Sequence, residues 1–247
     1  MAKLSLFSKK NKTVVAETII TDKTHFTILE AYKIARTNLM FTFAGETGCK
    51  KVLVTSSDIS EGKSTSTINL AITFAQTGAR VLVMEADLRR PKIHQYLSMP
   101  NDAGMAECLG GFKELDEVIQ HVDAYGMDCI TGGSIPPNPS ELLVSPAMKD
   151  VMDKLSERYD YIFVDSPPIN VVADSASIAS LMTGTLIVVK QNHTTDDALG
   201  HAIANLEFSQ VKILGYLLTH AVATSKKHYR YRYGKRYGGY GAYIYKA

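Results

Sequence analysis

Short apolar runs rich in β-branched residues alternate with longer segments of helical periodicity along this chain. Val52–Thr55, Arg80–Asp87, Met127–Gly133, Tyr161–Asp165, Thr185–Val189 and Lys212–Leu218 read as strands, and Thr185–Val189 is apolar enough to be covered on both faces. Helical patterns fill the gaps. In Phe26–Phe43 the residues Ile28, Tyr32, Ala35 and Leu39 share one face; Ser64–Gln76 closes on Gly78 as a C-terminal cap; Ser145–Arg158 and Thr195–Phe208 follow. Lys92–Val122 breaks into short helical patterns around glycines 104, 110 and 111, and prolines 136, 137 and 139 exclude a regular element after Gly133. Strand, helix and adjacent strand between Val52 and Asp87 imply a right-handed parallel crossover. The pattern is that of an α/β fold, a mostly parallel central sheet with helices on both faces.

Chemistry concentrates at the carboxyl ends of three of these strands. In VLVTSSDISEGKST, Val52–Thr65, a strand runs through a small-polar turn into a helix. Backbone N–H groups of such a turn surround polyphosphate oxygens, and the helix start adds positive potential. Asp58, Ile59, Ser60, Glu61, Gly62, Lys63, Ser64 and Thr65 form this candidate nucleotide loop. Gly62 permits close approach, Lys63 reaches the β- and γ-phosphates, and the Ser64 hydroxyl is placed for a bridging Mg²⁺. The full phosphate-loop pattern starts with a glycine where this chain has Ser57. VLVMEADLRRP delivers Glu85, Asp87, Arg89 and Arg90 at a strand end, and YDYIFVDSPP delivers Asp165. In open α/β sheets ligands bind beside such strand ends, where the carboxylates would meet a metal. Strand-end acids also cap helices, but Pro91 and Pro167-Pro168 argue against an immediate helix there. Arg89 and Arg90 read equally as stabilisers of a transferring phosphoryl group and as a solvated surface pair.

Composition adds limits. A chain of 247 residues, 45% hydrophobic and 21% charged, suits one α/β domain. No apolar run approaches the ~18 residues of a membrane span, and the N-terminus has no signal-peptide core, so a cytoplasmic protein is expected. Cys49, Cys108 and Cys129 lack metal spacing and read as reduced, mostly buried thiols. The expected organisation is a flexible lead over 1–24, a globular domain over 25–225 and a disordered basic tail over 226–247.

Charge distribution changes the picture more than its sum. Twenty of the 27 Lys and Arg residues and all 25 acidic ones precede Lys226, so the body carries −5 and the tail +7. The tail, KKHYRYRYGKRYGGYGAYIYKA, holds Tyr229, Tyr231, Tyr233, Tyr237, Tyr240, Tyr243 and Tyr245. Arginines among aromatics suit stacking on single-stranded nucleic acid. Alternatively the tyrosines are phosphorylation substrates, each gaining about −1.5 to −2 in charge. Four modifications, roughly −6 to −8, would cancel or reverse the tail's charge and so act as a switch.

SSDISEGKST, MEADLRRP and FVDSPP together resemble the three Walker-type motifs of the bacterial tyrosine kinases, P-loop proteins of capsule and exopolysaccharide production. The likeness runs from Glu30 to the terminal tyrosines and is to the free-standing kinase subunits of Gram-positive bacteria; Pro-Pro-Asn-Pro-x-Glu-Leu-Leu at 136–143 adds to it. The resemblance implies a P-loop NTPase-type fold and an ATP- and Mg²⁺-dependent protein-tyrosine kinase that phosphorylates its own tyrosine cluster in trans. It implies that Lys63 and the loop hold phosphates, that Ser64, Asp87 and Asp165 arrange Mg²⁺, and that Asp87 or Glu85 takes the tyrosyl proton. Glu30, Lys33 and Arg36, three apart on one helix side, match a Glu-x-x-Arg-x-x-Arg motif that builds a ring, with Lys33 in place of the middle arginine. Further implied partners are a membrane-embedded activating modulator of the polysaccharide co-polymerase type, which recruits the kinase to the inner membrane face, and a cognate tyrosine phosphatase. No nucleic acid is expected. The chain departs from the family pattern at Glu85, usually aspartate, and at Ile59-Ser60, usually Pro-Gly. The alternative is a deviant-loop ATPase of the partitioning or positioning type that switches assembly state with nucleotide. That group's signature lysine, five residues before Lys63, is here Asp58, which counts against it.

Overall fold

The computed structural model describes residues 19–221. The tail and its seven tyrosines lie outside the described residues. Helix α1 (Phe26–Thr42) leads into β1 (Lys50–Ser56), the loop, and α2 (Lys63–Ala75). Strand β2 (Val81–Glu85) is followed by the short helices α3 (Ile93–Leu97), α4 (Met105–Leu109) and α5 (Leu115–Val118), then by β3 (Gln120–Val122) and β4 (Met127–Ile130). Next come α6 (Pro139–Leu143), α7 (Pro146–Arg158), β5 (Tyr161–Asp165), α8 (Asp174–Ala179), β6 (Gly184–Lys190), α9 (Asp196–Phe208) and β7 (Ile213–Thr219).

The seven strands pair in the order β3-β4-β2-β5-β1-β6-β7, parallel except for β3 against β4. The expected direct neighbourhood of β1 and β2 is therefore corrected. The crossover through α2 passes over β5, which pairs with both, Val54 and Glu85 each standing opposite Asp165. Only tertiary pairing could reveal this, because β5 is contributed from 75 residues further along the chain. The insertion brings three strand ends together.

Alternation along the central strands divides the core in two. Val52 and Val54 pack with Ile68, Ile72 and Phe74 of α2, and with Leu39 of α1. Leu53, on the opposite side of β1, packs with Met148, Met152 and Leu155 of α7. Ile187 of β6 meets Ala202 and Leu206 of α9. Helices thus cover both faces. Phe74 anchors α2, its ring centroid 4.5 Å from that of Tyr161 and 5.1 Å from that of Phe163.

Element boundaries depart from expectation where short elements meet prolines. Pro139 begins α6 at its first turn, where its missing N–H costs nothing, so the Pro-rich stretch does contain a regular element. Helix α3 begins two residues after Pro91. Within the segment read as a lead, Ile19 and Ile20 are buried, and the Ile20 N–H donates to Asn69 Oδ1 at 2.8 Å. No helix among the described residues is long and apolar enough to cross a membrane. Cys129 is buried, its thiol pushed up to about 12 by desolvation, whereas Cys49 and Cys108 are half-buried.

Truncating Phe74 to alanine is expected to cost about 3–5 kcal/mol, the range for a fully buried aromatic, measured as the loss in unfolding free energy by denaturant titration.

Candidate active site

The nucleotide loop is braced from several directions. Glu61 turns inward and is fully buried. Its Oε2 accepts the N–H groups of Ser57 at 3.0 Å and Asp58 at 3.3 Å, and its Oε1 meets the Thr194 hydroxyl. From β6 the Lys190 ammonium donates to Ser60 O at 3.1 Å, and from the end of β7 the Thr219 hydroxyl donates to Glu61 O at 2.8 Å. Two residues take left-handed backbone: Gly62 at φ 93° and Ser60 at φ 60°. Ser60 thus keeps, at some steric cost, the conformation that a glycine would adopt freely. Thr194, Lys190 and Thr219 carried no motif in the sequence; their role comes from the sheet order, which sets β6 beside β1 and β7 beside β6.

Lys63 opens α2, and its charge together with the Ser64 side-chain hydrogen bond reaches Asp165 at the end of β5. The Thr67 hydroxyl donates to Asp165 Oδ1 at 3.3 Å. Asp165 is buried, and desolvation raises its carboxyl to about 6 against the lowering influence of Lys63, Ser64 and Thr67. Asp87, half-buried, raises it further and faces the same centre. The structure therefore brings Lys63, Ser64, Asp87 and Asp165 together, drawn from three strand ends. Ser64, Asp87 and Asp165 are all oxygen donors, as a hard divalent cation requires, and a cation there would offset the charge buried at Asp165.

Glu85 differs. Its side chain is buried, and Oε2 accepts the N–H groups of Lys92 at 2.7 Å and Ile93 at 2.9 Å, so it caps the start of α3. Capping by a strand-end acid, disfavoured on the strength of Pro91, is what occurs here. Burial first, and the facing Asp165 second, push the Glu85 carboxyl far above the carboxylate range. With Oε2 accepting twice, Oε1 is left without a hydrogen-bond partner in the structure.

The Arg89 guanidinium is held by side chains of α6 and α8. Its Nε donates to Asp174 Oδ2 at 2.8 Å and its Nη2 to Ser140 Oγ at 2.7 Å, tying the β2 exit to α6 and α8. Asp174 lies 85 residues away in the chain. Glu30 pairs with Lys33 at 2.9 Å on the surface of α1, while the Arg36 Nη1 donates to Thr73 O in the last turn of α2 at 2.6 Å. Each of the three has a partner within its own chain. Thr65, half-buried in the first turn of α2, continues the loop's hydrophilic face.

The AAA domain family matches residues 50–211. The tyrosine-protein kinase YwqD of Bacillus subtilis is 33% identical over 207 residues, covering 84% of this chain and 86% of YwqD. The kinase domain of the Escherichia coli tyrosine kinase ETK superposes with a TM-score of 0.76 at 32% identity, over 88% of this chain and 80% of that domain. This chain spans only 32% of full-length etk. The chimerical protein CapA2B2 superposes with a TM-score of 0.72 at 30% identity, over 76% of this chain and 82% of the other. A P-loop α/β architecture whose strand ends assemble Lys63, Ser64, Asp87 and Asp165, matched along most of its length by tyrosine-protein kinases, places this chain in the bacterial tyrosine kinase family.

Proposed function

We propose that this chain transfers the γ-phosphoryl group of ATP, with Mg²⁺, to tyrosines of the 229–245 cluster on another copy of itself. The observation that carries this reading is the convergence of Lys63, Ser64, Asp87 and Asp165 at the end of the loop that leads from β1 into α2. Lys63 and the loop backbone hold the phosphates, and Ser64, Asp87 and Asp165 hold the metal. The bound Mg²⁺ supplies neutralisation of charge on the transferring group. The tyrosyl oxygen attacks the γ-phosphorus, the bond to the β,γ-bridging oxygen breaks, and ADP leaves. The phenolic proton goes to a carboxylate.

Asp87 is the base in this reading. Burial pushes Glu85 toward its neutral form and its Oε2 is fixed on the α3 backbone, so it acts as a positioning residue that shapes the β2 exit. A phenol with a pKa near 10 needs assistance during attack rather than prior ionisation. The +7 tail is attracted to the −5 body of a neighbour and loses that attraction as phosphates accumulate. The wider setting of the reading is self-association into a ring through Glu30, Lys33 and Arg36, activation by a membrane-embedded modulator at the inner membrane face, reversal by a tyrosine phosphatase, and control of capsular or exopolysaccharide production.

Intact mass after incubation with ATP and Mg²⁺, with and without a modulator's cytoplasmic segment, tests the activity. Multiple 80-Da additions are expected on the full chain, and none on Lys63→Ala or on a chain ending at Ser225. Phosphate release from ATP with no additions under either condition would replace this reading with a switching ATPase.

Asp87→Asn is expected to slow transfer by about 10²–10⁴-fold, the usual contribution of a positioned base, whereas Glu85→Gln should retain activity within about tenfold. Single-turnover transfer rates separate the two assignments.

Asp165 has a folded pKa above its unfolded value, so the stability it contributes is present at low pH and lost as pH rises through about 6. The metal-free Asp165→Asn chain should therefore be more stable than the parent at pH 8, by up to about 3 kcal/mol, with the advantage vanishing near pH 4. Denaturant melts at both pH values check this, and the same variant should lose phosphoryl transfer.

A further inference from the structure

Beside the candidate active site, on the far side of the turn that follows β2, lies a cavity of about 580 Å³ with Arg90, Lys92, His94 and Asn101 in its lining. Arg89 also borders it, but that guanidinium is committed to Asp174 and Ser140. Among the described residues no ion pair or hydrogen bond engages the Arg90 guanidinium or the Lys92 ammonium. Both side chains are exposed, so two positive charges border one concavity with no ion pair among the described residues, the nearby Asp87 and Glu107 carboxylates being bonded to backbone N–H groups. His94 Nδ1 is buried without a partner, and desolvation lowers the ring's pKa, so it is a neutral hydrogen-bonding group near pH 7.

The walls are held in place. Asn101 Nδ2 donates to Gly133 O at 2.8 Å, and Gly133 N–H donates to Asn101 Oδ1 at 3.0 Å. Gly133 sits at φ 76°, and a Cβ there would lie 1.9 Å from Glu107 Oε2, so this rim accepts only glycine. Ile135 and Pro91 add apolar surface at the edge. The cavity is also close to the chemistry, because the turn is closed by Arg90 N–H donating to Asp87 O at 3.2 Å and to Asp87 Oδ1 at 3.1 Å.

We infer that this cavity docks phosphotyrosine already formed on the tail of a neighbouring copy, so that one modification positions the next. Arg90 and Lys92 take the phosphate, the first by its planar fork and the second as a point charge, and the apolar edge takes the ring. Successive tail tyrosines are two to four residues apart. An extended chain covers roughly 7–14 Å over that spacing, so neighbouring tyrosines are joined by a short span of backbone. The inference rests on the proposed kinase reading for the source of phosphotyrosine, but the binding it asserts needs no catalysis.

Electrostatics makes the test discriminating. Phosphorylation lowers the tail's positive charge, so diffuse attraction to the −5 body weakens with each phosphate, whereas a docking pocket makes the phosphorylated tail bind more tightly. Fluorescence anisotropy on full-length Lys63→Ala protein would compare labelled Lys226–Ala247 peptide, unmodified or phosphorylated at Tyr233. The phosphopeptide is expected to bind at least tenfold more tightly, to lose at least tenfold in an Arg90→Gln/Lys92→Gln background, and to be displaced more readily by phosphotyrosine than by inorganic phosphate. Equal binding of the two peptides, or tighter binding of the unmodified one, overturns the proposal, and this comparison stands even if the double variant fails to fold. Unchanged affinity in a folded double variant overturns it also, as does equal displacement by inorganic phosphate, which marks a general anion site. On active protein, chains compared by intact mass at equal mean phosphate content should carry fewer single and more multiple phosphates in the parent than in the double variant; identical distributions overturn the coupling between modifications. Absence of transfer with selective phosphopeptide binding retained would refute the kinase reading and leave the pocket standing.

Discussion

Glu85 and Asp165 stand opposite each other on adjacent parallel strands, both buried at the centre of the sheet. Two carboxylates so placed cannot both be charged without strong repulsion in a medium that screens poorly. The protein resolves this asymmetrically. Burial and the facing Asp165 push Glu85 toward its neutral form while it serves the backbone of α3, whereas Asp165, supplied with Lys63, Ser64 and Thr67, is raised only to about 6. The same chemical group thus has two fates one strand apart. Breaking this arrangement from the Glu85 side would release α3 and the turn carrying Asp87 and Arg90, not merely remove an acid.

The loop shows a second economy of means. A phosphate cradle needs N–H groups that point inward and a backbone that does not collapse in the absence of ligand. Glu61 provides an internal acceptor for the N–H groups of Ser57 and Asp58, and Thr194, Lys190 and Thr219 fix its other side. Those braces come from β6 and β7, the half of the sheet that carries none of the motif carboxylates. Ser60 holds a left-handed conformation within this frame, which keeps the loop's path despite the absence of glycine at that position.

Long periodic elements and strand-end motifs were legible from residue pattern alone, and β5 matches its expected Tyr161–Asp165 span. The convergence of Lys63, Ser64, Asp87 and Asp165 could be anticipated because strand-end acids in parallel sheets share one crevice. What escaped the sequence was non-local or short. The insertion of β5 between β1 and β2 depends on pairing across the whole chain. The capping role of Glu85 was hidden because α3 has five residues, too few for periodicity, and starts just beyond a proline that suggested no helix. Arg89 could not be separated from Arg90 by type; only the presence of Asp174 beside one of them distinguishes a structural tie from a free charge.

The Thr219 hydroxyl sits two residues before the last described position and is bonded to the Glu61 carbonyl within the nucleotide loop. In mechanical terms the final strand and the loop are one lever. β7 thus ends on the backbone of the turn between β1 and α2, and the two are joined at one peptide group. Displacing the end of β7 therefore strains one hydrogen bond to the Glu61 peptide, outside the cluster of strand-end acids.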